Sequence, residues 1–275
     1  MKLLRLEWLK LRRYRFFAIS TLLMVLLLIL LLVFFGDINA FGQQPAENGE
    51  GQQLTPLEED FAALGLYQMP RAYANLAYLA GYFKFFAAIL VILSVTNEFT
   101  FRTARQNIID GLSRKEFFGS KLITMLLMAL GLTLLSGIAT LVMALFYEQP
   151  EGASYMEGLP VLAALFTEYL LCFSLAFLLA WSLKRGAAAI LLFLLYYFIL
   201  ENILYFALGE TVGQYLPMQP GHNLIEEPFT RLTKVDKIIG LAHQEGFPWK
   251  AFGLSWAYLA AFFIAAYQLV LRRDL

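Results

Sequence analysis

Six stretches of mostly apolar residues run through this chain, at 16–35, 73–97, 122–147, 159–183, 186–208 and 251–271. Each reaches the roughly 20 residues that a helix needs to cross about 30 Å of hydrocarbon. Three carry no charge, and the others carry one each, Lys84, Glu168 and Glu201. The 275 residues are 60% hydrophobic and only 15% charged, more apolar surface than a water-soluble core of that size can hide. That argues against a soluble enzyme, a disordered chain and a nucleic-acid binder. The sequence predicts an all-α integral membrane protein, a single polytopic domain over 1–275 with six transmembrane helices set in a lipid bilayer. The basic start gives 16–35 some likeness to a signal peptide, but its apolar run exceeds the roughly 7–15 residues of such a segment, and no small-x-small cleavage site follows.

The charges set an orientation. Of the 21 Lys and Arg, 15 fall in 1–15, 98–121, 184–185 and 272–275, and five fall in 36–72, 148–158 and 209–250. Basic residues stay cytoplasmic, so both termini are expected in the cytoplasm of a cell (inner) membrane. Lys84, Glu168 and Glu201 then lie roughly 16, 14 and 10 Å from the outer ends of their spans, at about 1.5 Å per helical residue. An unpaired charge near the bilayer centre costs about 2.5–3.5 kcal/mol. Lys84 is therefore expected to pair with Glu168 or Glu201, either as a structural ion pair or as a gate or cargo-sensing cluster.

Outside the spans, four segments stand out. The start, MKLLRLEWLKLRRYR, puts Leu4, Trp8 and Leu11 on one helical face and turns Arg5 and Arg12 away. That pattern suits a helix lying in the headgroup layer, or a plain basic flank. The outer loop 36–72 is Gly/Gln/Glu-rich and too polar to fold alone, whereas 209–250 carries an amphipathic run from Phe229 to Ala242 that predicts a short helix beginning near Pro228. The inner segment 98–121 is the most informative. Asp110-Gly111 is a helix stop, and Ser113 with Glu116 forms a capping box. A short helix over 99–110 is thus expected, then a tight turn and a new helix leading into span three. Arg102 and Arg105 share a face of that short helix, beside the apolar Ile108-Ile109 and Asp110. Such a surface suits docking to a partner, or is a capped connector with a solvated face.

Other chemistry has no foothold. The sequence lacks a Gly-x-x-x-x-Gly-Lys-Ser/Thr loop for phosphates, and no span contains a histidine or aspartate for intramembrane proteolysis. His222 and His243 are too few and too far apart for a metal site. Nothing suggests a channel filter or an inverted repeat, and no cofactor is expected. Cys172, the only cysteine, lies in an apolar run and reads as a packing residue.

Glu7-Trp8-Leu9-Lys10 with Arg12-Arg13 resembles the start of permease subunits of the ABC-2 exporter family. Asn97-Glu98, Arg102-Thr103, Arg105-Gln106-Asn107, Asp110-Gly111, Leu112-Ser113-Arg114 and Gly119-x-Lys121 resemble that family's loop between spans two and three. The chain departs from the pattern in having Arg102-Thr103 for Gly-Thr and Gly111-Leu112 where many members have proline, as in a divergent branch. The resemblance implies a permease that pairs with a second copy or paralogue and works with a separate cytoplasmic ATP-binding cassette ATPase. It makes the start an elbow helix, the inner segment a coupling helix that docks the ATPase through Glu98, Arg102, Arg105, Ile108, Ile109 and Asp110, and the outer helices between spans five and six a lid over the exit. The chain itself would not be an enzyme. An exporter of a hydrophobic or amphipathic substrate leads these readings, and a non-transporting scaffold or receptor coupled to an ATPase is the alternative.

Overall fold

The computed structural model describes residues 67–147, 149–227 and 246–272, together with Ile19, Leu22, Val25, Leu26, Ile29 and Leu30, which are helical. The amphipathic start and the run at 229–242 lie outside the described residues, as do most of span one and loop 36–72. No strand occurs among the described residues. The helices are α1 (Ala72–Gly81), α2 (Lys84–Thr100), α3 (Thr103–Ile109), α4 (Arg114–Phe146), α5 (Leu159–Leu183), α6 (Gly186–Leu195), α7 (Glu201–Gly213), α8 (Gln219–His222) and α9 (Trp249–Arg272).

Four apolar helices in this set are long enough to cross a membrane: α4, α5, the joined run α6–α7 and α9. The stretch expected as a continuous span over 73–97 is instead broken. Helices α1 and α2 meet at a 46° bend, where Tyr82 N–H donates to Leu79 O at 3.3 Å and Phe83 N–H to Ala80 O at 3.0 Å, so the chain tightens to three-residue bonds. Ala80 O, already bonded to Phe83 N–H, also accepts from the hydroxyl of Tyr169 on α5 at 2.9 Å, which ties the bend to α5. The joined run α6–α7 is also irregular. A π-helical turn, Tyr196–Leu200, joins α6 to α7, and Gly209 leaves helical geometry at φ 70°. Such widened turns inside helices often mark functional positions.

Helix α5 is the hub, packed against α1, α2, α4, α6 and α9. Its residues Leu165, Tyr169, Phe173, Phe177 and Trp181 recur every four positions and are almost fully buried, the spacing of one helical face. Helix α4 meets α5 with small residues instead. Buried Ala129, Thr133, Ser136, Gly137 and Thr140 line one side; a Cβ on Gly137 would lie 2.9 Å from Leu162 Cδ1. Close approach through small residues is how helices associate where no hydrophobic force drives them together. The Thr133, Ser136 and Thr140 hydroxyls donate to carbonyls four residues back, all at 2.9 Å, and so leave no polar group unmet. Cys172 is buried in this core as a free thiol.

At one end, rings from three helices gather around Trp181: Phe99 at 5.5 Å between centroids, Phe117 at 5.6 Å, Phe118 at 5.8 Å and Phe177 at 6.0 Å. This cluster fastens α2, α4 and α5 just beneath α3. Helix α4 has 33 residues, about 50 Å at 1.5 Å per residue, more than a bilayer's hydrocarbon requires. Its first two turns therefore stand beyond the apolar stretch, next to α3.

Candidate functional site

Two buried ion pairs organise the molecule, one at each end of α2. The first is at the bend. Lys84 opens α2 and its ammonium binds the Glu168 carboxylate of α5, with the rings of Phe85 and Tyr197 at 5.4 and 5.3 Å. Lys84 is 5% exposed. Of the two acids that the sequence offered to Lys84, packing selects Glu168. Glu201 is placed elsewhere: it follows the π-helical turn, is 1% exposed, and accepts the Met218 N–H at 2.7 Å. That bond ties α7 to α8.

A cavity of about 280 Å³ opens beside the pair, lined by Tyr78, Tyr82, Glu168, Phe198, Asn202 and His222 among others. Tyr78 and Tyr82 share a hydrogen bond at 3.0 Å on one wall. His222 is exposed and stands edge-on to Tyr197 at 5.2 Å. Its neighbours Pro220 and Gly221 are buried against the bundle; a Cβ on Gly221 would meet Leu171 Cδ2 at 3.1 Å. Among the described residues no group of three His, Cys, Asp or Glu could hold a metal.

The second pair lies at the other end. Glu98, grouped above with the docking residues, is 6% exposed and turned into the bundle. Its Oε1 accepts from Lys121 Nζ of α4 at 2.9 Å. Its Oε2 accepts from the Thr103 hydroxyl at 2.5 Å and Asn107 Nδ2 at 3.1 Å, both on α3. Glu98 is therefore a fastening inside the segment, not part of its outer surface. Lys121, which forms half of the fastening, was visible in the sequence only as the end of Gly119-x-Lys121.

The helix expected over 99–110 is shorter than the sequence suggested. Helix α2 continues to Thr100, the chain turns at Phe101-Arg102, and α3 covers only Thr103–Ile109. The turn requires a left-handed residue, and Arg102 takes it at φ 57°. This is the position where the family pattern has glycine, the residue that reaches that conformation without steric cost. After α3, Gly111 stands at φ 100°, with its N–H bonded to Ile108 O and the Leu112 N–H to Asn107 O, both at 3.0 Å. These are the two bonds of a Schellman stop. Ser113 and Glu116 then exchange the bonds of a capping box, Glu116 N–H to Ser113 Oγ at 3.2 Å and Ser113 N–H to Glu116 Oε2 at 2.9 Å. The Ser113 hydroxyl and N–H hold the Glu116 carboxyl below its usual range.

What faces outward on this hairpin is a compact patch. Arg102, Arg105, Gln106 and Asp110 are exposed, and Gln106 Nε2 donates to Asp110 Oδ1 at 3.0 Å. Ile109 is 69% exposed, while Ile108 is half-buried. Phe101, which sequence reasoning passed over, is 68% exposed. Two large apolar side chains flanked by arginines form the kind of patch that soluble partners cover.

The model of a family described as ABC-2 family transporter protein matches residues 3–200, more than two thirds of the chain. No curated protein matches the sequence. Members of that family are multi-pass membrane permeases, normally non-catalytic, that work with a cytoplasmic ATP-binding cassette subunit. With its apolar helices and a match over residues 3–200, this chain belongs to the ABC-2 transporter family, as a membrane permease of an ABC transporter.

Proposed function

We propose that the chain is the permease subunit of an ATP-driven exporter, in which α3 is the coupling helix that docks a cytoplasmic ATPase. The observation that carries this reading is the outward patch of Phe101, Arg102, Arg105, Ile109 and Asp110 on a hairpin without slack. A stop motif closes α3 and a capping box starts α4 at once, so a push on α3 reaches a spanning helix directly. The arginines suit bidentate contacts with partner carboxylates, and Ile109 and Phe101 supply apolar anchors. The Lys/Arg asymmetry supports a cytoplasmic position for α3. The aromatic cavity beside Lys84 and Glu168 suits a hydrophobic or amphipathic cargo. Exposed apolar faces on α6–α7 and α9 suit contact with lipid and with a second permease copy.

Affinity purification of the chain from its own membranes tests the docking. The wild type is expected to carry an ATP-binding cassette protein, and Arg102→Glu/Arg105→Glu to insert normally but lose it. Undiminished co-purification and transport in that double variant would reduce α3 to a capped connector.

A further inference from the structure

We infer that Glu98 is the positioning residue that converts movement of α3 into a swing of α2 about the bend at Tyr82–Phe83. The inference rests on the reading that α3 docks the ATPase. One carboxylate serves three helices here: it belongs to α2, holds Lys121 of α4 through Oε1, and holds Thr103 and Asn107 of α3 through Oε2. Helix α3 thus cannot tilt without dragging the end of α2. From Glu98 to Lys84, α2 is uninterrupted, a rise of about 21 Å at 1.5 Å per residue. Beyond Lys84 it is not continuous, because the 46° bend separates it from α1. A stiff rod fastened at one end and hinged at the other rotates as a body. The hinge carries the Lys84–Glu168 pair and borders the cavity. Motion fed in at Glu98 therefore changes a place where a cavity and a buried charge pair meet.

Glutamine cannot substitute for this carboxylate. It is neutral, with one acceptor oxygen and one donor NH₂, so Glu98→Gln removes the counter-charge of the buried Lys121 and leaves a single acceptor where Lys121, Thr103 and Asn107 all donate. The test uses the intact permease–ATPase complex in nanodiscs, in a Cys172→Ala background, with spin labels on cysteines replacing exposed Arg71 and Thr100, at the two ends of the bent span. ATP binding is expected to change the distance between the labels by several ångströms in the otherwise wild-type complex. In Glu98→Gln that change should disappear and transport should fall at least tenfold, while the ATPase still co-purifies. Thr103→Val/Asn107→Ala, which leaves the Glu98–Lys121 pair in place, should act in the same way and guards against simple loss of folding. The inference is overturned if the labels do not respond to ATP in the wild type, if both variants keep the response, or if both variants lose the ATPase. Failure of the docking reading is a separate result, seen as retained ATPase in Arg102→Glu/Arg105→Glu.

Discussion

Replacing Lys84 with methionine is expected to destabilise the protein by about 3–5 kcal/mol, the cost of leaving one partner of a buried ion pair uncompensated. Glu168 would then lose its cation partner at a buried position beside Gly81 and Gly221, on the wall of the cavity. Methionine nearly matches the lysine in volume, so the loss comes from charge and not from a cavity. The double variant Lys84→Met/Glu168→Leu removes both charges and should recover most of the loss, since well-packed apolar replacements of buried pairs are often neutral. Thermal unfolding in a mild detergent, followed by fluorescence-detected size exclusion, reads both effects. A single variant as stable as the wild type would mean that the pair contributes nothing to holding the bend. A stable double variant without transport would separate the pair's working role from its structural one.

The second large effect belongs to the outward patch. Phe101→Asp and Ile109→Asp are each expected to weaken ATPase binding about 30-fold or more, in the range of interface hot spots at about 2 kcal/mol and above. Both side chains are more than two-thirds exposed, so the same substitutions should leave thermal stability of the isolated permease within about 0.5 kcal/mol, as surface changes do. This dissociation of binding from stability distinguishes an interface from a core. Ile108→Asp, half-buried on the same helix, should damage both.

How much of this was legible in the sequence follows from the range of each interaction. The Gly111 stop and the Ser113–Glu116 box depend on contacts three to five residues apart, so local chemistry announced them. The apolar stretches announced the helices for the same reason. The pairing of Lys84 was legible only as a choice, because residues 84 positions apart meet through the packing of α2 on α5, and Glu168 and Glu201 were equal in the sequence. Arg102 was opaque: a non-glycine residue at positive φ contradicts local preference and is held by the bonds of Thr103 and Asn107 to Glu98. The break at Tyr82–Phe83 was opaque too, since no proline marks it and the Tyr169 hydroxyl that ties it to α5 comes from another span. Phe101 drew no notice in the sequence, because nothing local marks one apolar residue as exposed; the turn beside it brings it to the surface.

The central claim, that α3 meets the ATPase, is tested most directly by a photo-crosslinking amino acid placed at Gln106, exposed on the outer side of α3. Illumination of intact cells should yield one dominant adduct, between the permease and a protein that mass spectrometry identifies as an ATP-binding cassette subunit. The same probe at Phe206, exposed on α7, should give no such adduct. A Gln106 probe that crosslinks only to lipid, or to proteins without a nucleotide-binding domain, while the complex purifies intact, would contradict the claim.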